Sequence, residues 1–177
     1  MSQVGKLNMV NAKLGATMPG QQTTRYIYDS ITTVAGQTTF NFFQTFAGKN
    51  DLQTNLTTNK LDSSESMVIK SIFISTNSTA NLTSHMNLNI VVGNQVVLKD
   101  FNPAFNATNR GVSFDRLHSG ANQDDILEVR LLTDIVIPPQ VNFKATLEMA
   151  SNATEADQNI TLGLKGYGTI FSAGSTF

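Results

Sequence analysis

Val141, Phe143, Ala145, Leu147 and Met149 alternate with Asn142, Lys144, Thr146 and Glu148 without exception. That two-residue period is the signature of a strand with one apolar and one polar face. The same alternation places Met86, Leu88, Ile90 and Val92 on one face, and further on Leu127, Val129 and Leu131. Ile135 to Ile137 extend the latter run to the turn at Pro138-Pro139. Ile160, Leu162 and Leu164 share a face in the last run, 159–171, whose glycines at 163, 166 and 168 predict bends or close contacts. Met67 to Thr76 is apolar and β-branched enough to be buried on one face and partly covered on the other. Earlier in the chain, 24–33 and 38–46 are rich in aromatic and β-branched residues, and the turn Ala35-Gly36-Gln37 between them predicts a hairpin. A second hairpin is predicted where Gly93-Asn94 separates 86–92 from 95–100, because a two-residue Gly-Asn loop suits a primed turn. No helical period runs for more than about two turns.

The pattern predicts about eight strands, with long Asn-rich loops at 47–64 and 101–125. One-sided strands must bury their apolar faces against a second sheet, so the fold class is all-β: an eight-stranded jelly-roll sandwich or barrel. Jelly-roll strands are lettered B to I, and E and F are neighbours in one sheet; Gly93-Asn94 falls between the fourth and fifth strands, where that pairing needs it. Residues 1–22 lack either period and end near the turn signal Met18-Pro19-Gly20. The expected organisation is an irregular N-terminal arm, 1–22, followed by one jelly-roll domain, 23–177. Val4, Leu7, Met9, Val10 and Leu14 have no partner within the arm, which predicts that they dock on a neighbouring subunit.

Charge sharpens this picture. Only 14% of the 177 residues are charged and the net charge is -1, against roughly 25% charged in an average soluble domain. Weakly charged surfaces near neutrality associate, so the composition suits a surface covered by partners or an extracellular one. Lys6, Lys13 and Arg25 are scattered, without the cluster that a phosphate-binding arm requires, and no direct nucleic-acid binding is expected. With no cysteine, neither disulfides nor thiolate metal ligands contribute. The leading segment has no apolar run of signal-peptide length, and no stretch approaches the roughly 20 apolar residues that span a bilayer.

An irregular arm, eight strands over Thr24 to Phe171, long loops between C and D and between F and G, an Asn/Thr-rich surface and no cysteine together resemble a single jelly-roll capsid protein of a virus, a bacteriophage in particular. The resemblance is architectural. It implies a structural virion protein that self-assembles with copies of itself and other virion proteins, in a particle made in the host cytoplasm. It implies no catalysis, no cofactor and no small-molecule substrate. Jelly-roll coats that package RNA directly often carry a basic arm; lacking one, a coat of this kind surrounds an internal membrane or an inner protein layer, or decorates a shell. The alternative on the same architecture is a carbohydrate-binding or adhesive module, such as a virion spike or decoration protein. The absence of Trp, with Tyr26, Tyr28 and Tyr167 the only tyrosines, weighs against a sugar-stacking platform.

Candidate chemistry is sparse. His85 and His118 are the only histidines, too few for a cupin-type metal centre with two or three His ligands. Ser113, Asp115 and His118 crowd one loop, whereas a catalytic triad is defined by converging geometry. Asp124-Asp125, with Asp115 and nearby Asn residues, offer oxygen ligands for calcium without the spacing of an EF-hand loop. No catalytic, cofactor or metal residue is therefore assigned. The GxxGxG of LGLKGYG precedes no helix and reads as a curved edge strand. Asn-X-Ser/Thr triplets begin at Asn55, Asn77, Asn81, Asn106, Asn152 and Asn159, a number that an Asn/Thr-rich chain yields by chance. Phe40 and Phe42 fit one face of their strand, and Phe43 must point away, which predicts that Phe43 or Phe46 is buried by a neighbouring subunit.

Overall fold

A computed structural model describes residues 20–76, 86–102, 125–149 and 159–171. These residues form eight strands and no helix: β1 (Gly20–Thr32), β2 (Thr39–Phe42), β3 (Glu65–Thr76), β4 (Met86–Val92), β5 (Gln95–Phe101), β6 (Asp125–Ile137), β7 (Phe143–Met149) and β8 (Asn159–Phe171). They pair antiparallel in two four-stranded sheets, ordered β1-β8-β3-β6 and β2-β7-β4-β5. Lettered B to I in chain order, the sheets read B-I-D-G and C-H-E-F, the arrangement of a jelly roll. Every connection except β4–β5 passes from one sheet to the other. The protein is an all-β sandwich with the predicted topology.

The β4–β5 hairpin closes on Gly93-Asn94 as its sequence predicts: Val92 pairs with Gln95, and Gly93 takes φ 60°, open to glycine at no steric cost. The other predicted hairpin is not one. The turn after β1 does reverse the chain, with Gln37 N–H donating to Val34 C=O at 3.0 Å and Gly36 at φ 75°. β2 then drops into the facing sheet and pairs with β7. A short glycine turn fixes the reversal of direction; whether the returning strand pairs with its predecessor or crosses to the other layer is settled by where Phe40 and Phe42 find burial. β1 begins at Gly20, opposite Phe171 of β8, so the last residues of the segment assigned to an arm belong to the sheet. Residues 1–19 lie outside the described ones.

The core lies between the sheets. β7 alternates as expected, with Phe143, Ala145, Leu147 and Met149 buried and Lys144 and Glu148 exposed. In β3 the alternation changes phase: Met67 and Ile69 face the core, then Ile72 and Ile74 do. Lys70 is the cause, an extra residue between the pairs Ile69–Gly166 and Ser71–Lys165, and one inserted residue moves every later side chain to the opposite face. β8 is not the edge strand its glycines suggested; it lies between β1 and β3. The glycines serve close packing instead. A Cβ on Gly166 would sit 1.9 Å from the Val68 carbonyl oxygen beside the bulge, and one on Gly163 would sit 1.8 Å from the Phe73 ring.

Phe43 also departs from expectation. It is fully buried within its own chain, its ring 5.4 Å from that of Phe143. A left-handed backbone at Phe43, φ 60°, swings the side chain inward instead of leaving it on the outer face that strand alternation demands. Phe46 packs half-buried against the same core. Neither needs a neighbouring subunit to cover it.

Candidate interaction surface

Each sheet of the sandwich has two edge strands, and the two open sides of the molecule are treated very differently. On one side β1 and β2 end their sheets. The loop from 43 to 64 folds over β1: Ser30 N–H donates to Gln53 C=O at 2.7 Å, and Thr54 Oγ1 donates to Tyr28 C=O at 3.0 Å. Asn55 uses its side-chain amide as a strand would use its backbone, with Oδ1 accepting from Tyr28 N–H at 3.0 Å and Nδ2 donating to Tyr26 C=O at 2.6 Å. Tyr28 Oη donates to the Asp51 carbonyl. The loop thus stands in for a ninth strand along residues 26–30 of β1.

Asp29 anchors that cover. Its carboxylate is fully buried, accepting from Phe43 N–H at 2.7 Å and from Lys49 Nζ at 2.5 Å. One side chain therefore holds both the left-handed turn after β2 and the start of the covering loop. A buried charge is tolerable only when paired and hydrogen-bonded in this way.

On the opposite side β5 and β6 end their sheets, and there the chain supplies no comparable cover among the described residues. A groove of about 500 Å³ runs between them, lined by Val97, Leu98 and Phe101 from β5 and by 130–136 from β6. β6 swells outward at this point. Ile135 pairs with Ile69 and Arg130 with Ser71, so Leu131 to Asp134 stand opposite Lys70 alone. Leu131 and Ile135 turn into the core, while Leu132 is thrown out to 82% exposure. Lys70 Nζ, 2.6 Å from Asp134 Oδ2, fastens the base of the protrusion. Across the groove Val97 is 38% and its neighbour Val96 55% exposed. β5 is itself irregular, with register shifts on both sides of its Ile90–Leu98 pair and Asp100 at φ 49°. Such kinks and the exposed Lys99 and Asp100 blunt an edge against indefinite strand addition. The surface suits side-chain docking better than sheet extension.

Several of the remaining polar groups are occupied structurally. On the outer face of the first sheet Glu128 accepts from Ser71 Oγ at 2.8 Å and from Lys165 Nζ at 3.2 Å, and Lys165 also lies 5.6 Å from the centre of the Tyr26 ring. The hydrogen bond and the charge of Glu128 raise the lysine above its ordinary pKa of 10.5. Among the described residues no group of three or more His, Asp or Glu converges as metal ligands would. His85, His118, Ser113, Asp115 and Asp124 fall outside the described residues, and Asp125 enters only as the first residue of β6. Of the Asn-X-Ser/Thr sites, Asn55 is engaged on β1 as above and Asn159 opens β8; the other four lie outside the described residues.

The groove was missed in the sequence because its two walls come from strands whose alternation looked ordinary. The one available signal was the adjacent pair Leu131-Leu132 in a strand otherwise obeying a two-residue period: one of the two had to face outward.

No family model matches the chain, and no curated relative does. Solved structures similar to it include the cyanophage Pam1 capsid asymmetric unit, at 14% identity over 84% of this chain and 89% of that one, with a TM-score of 0.36. The Drosophila NLP core follows at 8% identity over 82% and 96%, TM-score 0.29, and a nora virus structure at 11% over 89% and 64%, TM-score 0.31. Viral capsid structures recur among the matches. At these identities and TM-scores no residue role passes from them to this chain.

Proposed function

We propose that the chain is a structural virion protein, a coat or shell component of a bacteriophage, that acts by self-association and carries no catalysis. The observation that supports this best is the asymmetry of the sandwich: the chain's own loop covers β1 along 26–30, and the other side presents a groove lined in part by Val97, Leu98, Phe101 and an exposed Leu132. Burial of such a groove and its exposed leucine is what association with further copies would accomplish. The formal charge of -1 leaves little repulsion to keep copies apart. Its partners are copies of itself and other virion proteins, with no direct contact to nucleic acid. The segment before β1 is the arm that secures the assembly.

The test is purification of the full chain, followed by light scattering across a concentration series and electron microscopy of the heaviest fraction. Discrete particles or regular oligomers are expected, without co-purifying nucleic acid. A monodisperse monomer at every concentration would refute the reading. Deleting residues 1–19, which spares β1, is expected to leave the β-sheet circular dichroism unchanged and abolish particles.

A further inference from the structure

From the groove between β5 and β6 we infer that this side docks on the same side of a second copy, related by a two-fold axis, with Leu132 of each copy seated in the groove of the other. The inference names the surface for the self-association proposed above and rests on that reading. Three observations favour a second copy as the occupant. Knob and hole lie on one face: Leu132, 82% exposed, belongs to the β6 wall of the groove of about 500 Å³ whose other wall is Val97, Leu98 and Phe101. A two-fold operator applied to such a face buries both knobs at once, the arrangement that an isologous contact requires. The flanks carry both signs, Arg130 on the β6 wall and, on β5, Asp100 at 68% side-chain exposure with Lys99 as far as 3.9 Å away. A flank of mixed sign does not repel a second copy as a single-sign patch would. Finally, the irregular ladder of β5 turns aside a partner that would bind by adding a strand, leaving side-chain packing as the mode of contact.

The chain has no cysteine, so introduced thiols are unique reporters. A V97C chain is mixed with an L132C chain and oxidised, and linked pairs are read by mass spectrometry. Their yield is expected to exceed, by at least about tenfold, that from L52C with L132C, since Leu52 is exposed on the sealed side. A yield no higher than this control overturns the inference. So does preferential linkage of L132C to V10C, which would make the groove the seat of the leading segment. In parallel, L132D is expected to raise the dissociation constant of the pair at least about tenfold with an unchanged urea midpoint. If wild type and L132D assemble alike, the groove is not the contact and the shell reading survives. If the wild type never associates, both fall.

Discussion

The two sides of this sandwich solve the same physical problem in opposite ways. Both end in edge strands, whose unpaired N–H and C=O groups would invite contact. On the β1 side the chain spends a 22-residue stretch, 43–64, and a buried ion pair on covering the edge itself. On the β5–β6 side the strands are kinked, apolar residues are pushed outward, and Leu132 and Val97 are left without partners of their own in the described structure. On the proposed reading the covered side serves stability and the open side association, and mutations should divide along that line.

The largest effect is expected in the core that both sides share. Phe143→Ala removes a fully buried ring packed on Phe43 and should cost about 3 to 5 kcal/mol in urea denaturation, while Lys144→Ala, one residue away and exposed, should change the midpoint little. Equal costs at the two positions would dissolve the distinction between faces. Next comes the sealed side: Asp29→Ala strands the Lys49 ammonium and the Phe43 N–H in a buried setting, for about 3 kcal/mol. It should also speed proteolysis within 43–64, while the association of the remaining folded protein stays as in the wild type. Loss of association without loss of stability would reverse the roles assigned to the two sides.

The smallest effect belongs to Lys165. Folded, it holds its proton more tightly than in the unfolded chain, so whatever its contact with Glu128 contributes is fully present below pH 10.5 and is lost as pH rises through the raised value. The side chain is 38% exposed and screened by solvent, which keeps the contribution of Lys165 within about 0.5 kcal/mol. A Lys165→Met chain should accordingly show nearly the wild-type urea midpoint at pH 7, and a large loss there would mean that the outer face of the first sheet is more than a solvated surface.

Alternation made the strands, the β4–β5 hairpin and the jelly-roll order legible, because a two-residue period states which side chains are buried and a Gly-Asn turn states which strands are neighbours. What escaped depends on single-residue departures from that period. The extra Lys70 that reverses phase in β3, the left-handed Phe43 and the outward run 131–134 each involve a residue compatible with ordinary strand geometry, so composition carries no mark of them. The glycines of β8 announced close contacts but not their cause: small residues serve a central strand under Phe73 and Val68 as readily as a bent edge. Asn55 was readable only as part of a frequent triplet, since its use as a substitute strand partner depends on a loop whose path no local pattern specifies.

The division of labour between the two sides is tested most directly by amide hydrogen exchange on the full chain, compared between dilute and concentrated protein. Exchange in 95–101 and 130–136 should slow on concentration while that in 50–56 stays constant, because the sealed side is already protected by its own loop. Slowing confined to 50–56, with 95–101 and 130–136 unchanged in an associated sample, would contradict the account.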